Sequence, residues 1–167
     1  MYRLLPIISL LLATATAWGP PSSSHLPQCS PRVISLATGI YLNIQGQHAE
    51  LNQTISLQSL ESSSFSQSTF DIQKGELIAD IKGGMSIREF NQAVAPTGNA
   101  ALPGLATYAA AQSTELGLAE SLTGMPSHDL PILVTIHSDV VAGTQLNEYN
   151  LGNATAGCNL GFDLTSY

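Results

Sequence analysis

Apolar side chains recur along this chain with the period of a helix. Val33, Leu36, Ile40, Ile44, Leu51 and Ile55 are separated by three, four or seven positions. That spacing places them on one helical face and does not fit strand-like alternation. Ser30 is a good N-cap and Pro31 suits the first helical position. The pattern predicts a helix to about Leu57, with Gly39 and Gly46 each weakening it by roughly 1 kcal/mol relative to Ala. A Ser-rich loop follows at 61–68. From about Thr69 a second face is carried by Phe70, Leu77, Ile78, Ile81 and Met85, and continues through Ile87, Phe90 and Val94. Gly83-Gly84 interrupts it, and Ser86 with Glu89 has capping-box spacing. The reading is one kinked helix to Ala95, with a full break before Ser86 as the alternative.

Pro96-Thr97-Gly98-Asn99 is a turn. A third pattern, Leu102, Leu105, Ala109, Leu116 and Ala119, predicts a helix from about Ala101 to Thr123. Gly124 and Pro126 stop it. Ser127 or Asp129 then caps a fourth helix, with Pro131 in its first turn and Ile132, Leu133, Ile136 and Val140 on its apolar face. This helix fades by Tyr149, and Asn150 onward reads as a Gly-containing tail. Four helical patterns and no convincing strand predict an all-α fold, an antiparallel four-helix bundle with short connections. No solenoid-type repeat is present.

The N-terminus adds a destination. Arg3 precedes the apolar run Leu4–Leu12, and Ala15-Thr16-Ala17 is a small-residue cleavage site. The run is too short to span a bilayer, so residues 1–17 read as a signal peptide. Residues 18–29 read as a Pro- and Ser-rich leader, 30–158 as the bundle domain and 159–167 as a tail. Cys29 and Cys158 flank the helical region. Export favours a disulfide between them, with two buried free thiols as the alternative. An even number of antiparallel spans brings both cysteines to one end of the bundle. A bridge closing so long a loop stabilises by roughly 4–5 kcal/mol in the chain-entropy picture. Asn52-Gln53-Thr54 and Asn153-Ala154-Thr155 match the glycan acceptor pattern, making Asn52 and Asn153 candidate glycosylation sites.

Charge narrows the partners. The chain has 5 Lys and Arg against 12 Asp and Glu, a formal net charge of −7, and only 10% charged residues. Five scattered cations build no basic face, so nucleic acid is excluded as a partner, and an anionic membrane surface repels the chain. No second long apolar run and no apolar C-terminal tail suggest a membrane anchor. Enzyme signatures are missing as well. No His has Glu three positions before it, and His-Glu-x-x-His, Gly-x-Ser-x-Gly, the P-loop and the dinucleotide fingerprint are absent. The expectation is no cofactor, no metal and no catalytic residue. His48, between Ile44 and Leu51, and His137, beside Ile136, are the two histidines placed to meet a carboxylate such as Glu115 or Glu50 across antiparallel helices. Gln47, Asn91, Gln92 and Gln112 lie close to the apolar stripes, and buried amides must find partners. His48, Gln112, Glu115 and His137 are therefore the candidate ligand-binding residues.

The run from Asn91 to Ala101, then Gly104-Leu105-Ala106, Ala111–Leu116, Leu122-Thr123-Gly124 and Gly157-Cys158, resembles fungal small secreted proteins. In general build the chain is also similar to the secreted hydrophobic-surface-binding helical proteins of fungi. The resemblance implies an extracellular, effector-like or surface-binding protein and transfers no catalytic residue. The functional expectation is a secreted non-catalytic protein that binds a surface, a host partner or a small apolar molecule. The alternative is an exported enzyme or accessory protein of a metabolite pathway with a polar pocket inside the bundle. The mature protein is expected to begin at Trp18. N-terminal sequencing of material from the medium checks this, and a start at Met1 removes the basis for export.

Overall fold

The computed structural model describes residues 26–164. The expected signal peptide, most of the leader and the last three residues lie outside that range. The described residues form four helices and no strand: α1 (Pro31–Glu61), α2 (Gln67–Val94), α3 (Leu102–Ser121) and α4 (Pro126–Ala154). α1 and α3 each pack against both α2 and α4, so they stand diagonally across the bundle. Successive helices are antiparallel. The Arg32 guanidinium at the start of α1 donates to the Val94 and Ala95 carbonyls at the end of α2. Lys74, near the start of α2, donates to the Glu120 and Leu122 carbonyls at the end of α3. Both cations satisfy helix C-terminal carbonyls and complement the dipole there.

Local rules account for most boundaries. The Ser30 hydroxyl accepts from Val33 N at 3.4 Å, and Ser66 accepts from Thr69 N at 3.2 Å. α2 is one helix through Gly83-Gly84, the preferred of the two expectations, and the Ser86 hydroxyl bonds back to the Lys82 carbonyl instead of capping a new start. Both ends of α4 depart from expectation. α4 begins at Pro126 behind Met125, which makes no side-chain cap, and Pro131 falls in its second turn. Asp129 instead accepts from the Thr123 and Gly124 amides at 2.8 and 2.6 Å, fixing the α3–α4 turn from inside the helix. α4 also continues to Ala154. Asn150, expected in a tail, is fully buried within it.

The two ends of the helical region meet. Cys29 and Cys158 form a disulfide with Cα atoms 4.9 Å apart. It is flanked by Cys29 N donating to the Asn159 carbonyl and Asn159 N to the Pro27 carbonyl, each at 2.8 Å.

The core is divided. One apolar cluster, near the α1–α2 turn, is built on Leu57, Phe70, Leu77, Ile81, Leu133 and Ile136. The other, near the disulfide, is built on Leu36, Ile40, Ile44, Ala101 and Leu105. Between them the helices approach through glycine. A Cβ added to Gly39 collides with the Asn91 amide, and one added to Gly104 collides with the Asn150 amide. Gly46, by contrast, faces open space. Gly39→Ala and Gly104→Ala are each expected to lower stability by roughly 1–3 kcal/mol, the cost typical of overpacking. Gly46→Ala is expected to raise it by about 0.5–1 kcal/mol through helix propensity. Urea unfolding midpoints of the three variants check the contrast.

Candidate functional site

Between the apolar clusters lies a belt of polar side chains pointing inward from all four helices. α1 contributes Asn43, Gln47 and Glu50; α2 contributes Arg88 and Asn91; α3 contributes Gln112 and Glu115; α4 contributes Asn147 and Asn150. The buried phenol of Tyr108, on α3, joins them. Helical spacing explains the placement. Positions 43, 47 and 50 continue the stripe of Leu36 and Ile40, so the face turned to the core changes from apolar to polar without leaving the interior.

The belt has an internal symmetry. Gly39, Gln47 and Glu50 in α1 read Gly-x7-Gln-x2-Glu, and Gly104, Gln112 and Glu115 in α3 repeat it. Gly84 and Asn91 in α2 read Gly-x6-Asn, and Gly143 and Asn150 in α4 repeat that. The contacts repeat too. Asn91 fills the notch at Gly39 as Asn150 fills that at Gly104. Gln47 Oε1 accepts from Asn147 Nδ2 at 3.0 Å, and Gln112 Oε1 accepts from Arg88 Nε at 2.9 Å. Equivalent positions break the symmetry at Asn43 against Tyr108 and at Arg88 against Asn147.

Many belt atoms have no hydrogen-bond partner among the described residues. Both polar atoms of Asn43 and of Asn91, both carboxyl oxygens of Glu50, Glu115 Oε1, Gln112 Nε2 and Asn150 Oδ1 are buried in this condition. Three of these atoms converge on Gly84. The position a Cβ would take there lies 3.0 Å from Gln112 Nε2, 3.1 Å from Glu50 Oε1 and 3.2 Å from Asn43 Oδ1. The carboxyls respond to the environment. Burial, then the neighbouring Glu115 and Asp80, push Glu50 up to about 8. Burial, then Asp139, push Glu115 up to about 7. The Tyr108 phenol is raised by burial and then by the charges of Glu50 and Glu115.

Of the four sequence candidates, Gln112 and Glu115 lie in the belt, which is closed to solvent. His48 does not join them: it is exposed on α1, one position outside the stripe that carries Gln47. His137 is half-buried on α4. Among the described residues no group of three or more His, Cys, Asp or Glu is placed to hold a metal ion. Asn52 is exposed on α1, and Asn153 is half-buried in the last turn of α4. At the far end, His128 Nδ1 and Asp129 Oδ1 are 2.6 Å apart. Burial works against ionisation of Asp129, but the bonds from His128, Thr123 and Gly124 outweigh it and hold the carboxyl below its usual range.

A second feature lies on the outside. Three apolar grooves adjoin along α1. The first, about 460 Å³, runs between α1 and α2 past Ile34, Leu42, Ile87 and Phe90. The second, about 370 Å³, shares Thr38 and Leu42 with it and reaches Phe162 and Leu164. The third, about 730 Å³, shares Tyr41, Phe162 and Leu164 with the second and ends beside Glu148 and Asp163. Together they form one trough, with Leu42 and Phe90 each 51% exposed. The periodicity marked Phe90 as a core position; the structure turns it to solvent. No protein family, curated protein or solved structure matches the chain.

The carboxyl shifts have a sign. Glu50 and Glu115 ionise more readily in the unfolded chain than in the bundle, so the unfolded state loses protons first as pH rises. Their stabilisation is fully present below about pH 4.5 and is lost as pH rises through about 7 and 8. In a buffer whose only cations are large and organic, stability is expected to fall between pH 5 and pH 8.5, with Glu50 alone contributing on the order of 3–5 kcal/mol. Glu50→Gln is expected to remove the Glu50 share of that fall and leave that of Glu115. Urea midpoints across the range decide it, and a flat wild-type profile contradicts the assignment.

Proposed function

We propose that this chain is an exported, non-catalytic protein that binds a small apolar molecule in the trough along α1. The observation that carries the reading is the continuity of the trough. Three grooves joined through Leu42, Tyr41 and Phe162 present apolar surface to solvent, and burying such surface against an apolar partner is favourable by roughly 25 cal/mol per Å². Charge constrains the occupant. Glu148 and Asp163 lie at one end, and none of the residues lining the three grooves is Lys or Arg. A neutral molecule fits this better than one with an anionic head. The signal-peptide pattern, the disulfide and the low surface charge support an extracellular setting. The alternative of an internal catalytic pocket is less favoured, because Glu50 and Glu115 are almost wholly covered and a substrate needs access.

Nile red, a neutral apolar dye, provides the test. Leu42→Gln with Phe90→Ser is expected to weaken its binding at least about tenfold, since each loses an apolar contact worth about 1 kcal/mol or more. Ile72→Ser with Val134→Ser removes equally exposed apolar groups elsewhere and is expected to leave binding unchanged. Equal affinities for wild type and the Leu42/Phe90 variant, measured by fluorescence titration, sink the reading.

A further inference from the structure

We propose that the ligand of the trough along α1 is a single-chain amphiphile with a cationic ammonium head. Its alkyl chain lies in the two grooves past Leu42 and Phe90, and its head sits in the third, beside Glu148 and Asp163. The inference rests on the reading of the trough as a site for an apolar molecule and adds the head group and its place. The first argument is shape. The lining follows α1 from Ile34 to Ile44, about 15 Å of helix, and the three grooves join in series through Leu42, Tyr41 and Phe162. A flexible alkyl chain follows such a trough, whereas a compact ring system fills one groove. The second argument is that the packing does not call for this surface. The repeat that relates the two hairpins sets Leu42 against Thr107 and Phe90 against Tyr149. Thr107 and Tyr149 are both exposed, and the Thr107 hydroxyl bonds back to the Pro103 carbonyl. Hydroxyl-bearing side chains therefore suit these positions of the bundle, and nothing in the helix contacts requires Leu42 and Phe90 to face water.

Charge sets the direction of the occupant. The residues lining the first two grooves carry no charge. Both charged residues of the trough, Glu148 and Asp163, line the third groove, and both are acidic and exposed. The cations nearest along the chain are engaged elsewhere. Arg32 donates to the Val94 and Ala95 carbonyls, and the buried Arg88 donates to Gln112, Gln92 and Glu89. Tyr41 and Phe162 line the same groove as the two carboxylates, and aromatic faces attract ammonium groups. An ammonium head answers both features. A carboxylate or phosphate head is repelled, and an uncharged head leaves the acidic end unmatched. Because the carboxylates are exposed, the head stays partly hydrated and its contribution is modest.

The experiment uses the full, disulfide-bonded chain at neutral pH and low salt. Nile red in the trough is displaced with dodecylamine, 1-dodecanol or dodecanoate, each below its micelle-forming concentration. Dodecylamine, protonated under these conditions, is expected to displace the dye at a concentration roughly tenfold lower than dodecanol, and dodecanoate at a higher one. Raised salt should narrow the gap between amine and alcohol by screening. Glu148→Gln with Asp163→Asn is expected to cut the gap to roughly twofold or less and leave dodecanol unchanged. Asp71→Asn with Glu76→Gln removes the same charge from exposed positions near the start of α2 and is expected to keep the gap. Equal displacement by all three heads, with dye binding still weakened in the Leu42/Phe90 variant, overturns the cationic head and leaves the apolar trough standing. A preference for dodecanoate overturns it as well. Equal loss of the gap in both charge variants traces it to net charge and overturns the site at Glu148 and Asp163. Dye binding that is unchanged in the Leu42/Phe90 variant removes the trough itself, and the proposal with it.

Discussion

Carboxyl and amide groups at the centre of a helical bundle must be compensated or the bundle does not close. Leaving a buried polar group without a hydrogen bond costs about 1–3 kcal/mol, and more when it is charged. This chain places such groups at mid-height from every helix, and the rest of the structure is arranged around them. Apolar clusters sit above and below. Glycines at 39, 84, 104 and 143 allow the helices close enough for side chains of the neighbouring helix to reach across. The disulfide and the cations at helix ends hold the ends of the bundle. The belt also fixes register. Sliding one helix by a single turn separates Gln47 from Asn147 and Gln112 from Arg88 and sets amides against leucines.

Cations are used sparingly, which explains a surface poor in charge. Arg32 and Lys74 terminate neighbouring helices, Arg88 is buried, and Lys82 pairs with Glu120 at 3.3 Å on the exposed face. The outside is then left to Ser, Thr, Gln and small residues, broken by the apolar trough along α1. A weakly charged exterior and a polar interior reverse the usual distribution at mid-bundle.

The four helices and their antiparallel order were legible because the helical period is strong and the turns carry Gly and Pro. The continuity of α2 was the preferred reading, but Gly83-Gly84 left a break before Ser86 open, and only the facing Gln112, Glu50 and Asn43 show why Gly84 is tolerated inside a helix. Asn150 was misplaced in a tail for a related reason: an apolar stripe that turns polar looks like the end of a helix. Gln47, Asn91 and Gln112 were visible as oddities beside the stripes. What tied them together, the repeated Gly-x7-Gln-x2-Glu and Gly-x6-Asn spacings, lies far apart in the chain and gains meaning only when α1 and α3 are seen across the bundle axis. Phe90 shows the converse, an apolar residue in phase with a core stripe that the actual helix rotation leaves outside.

The doubled motif has a consequence for how the bundle closes. α1–α2 and α3–α4 are equivalent hairpins, each carrying one Gln-x2-Glu and one Gly-x6-Asn. A lone hairpin exposes its half of the belt, and only a second copy supplies the covering half. Each hairpin therefore covers the polar half that the other exposes, and Asn43 against Tyr108 and Arg88 against Asn147 are the central positions where the two halves differ.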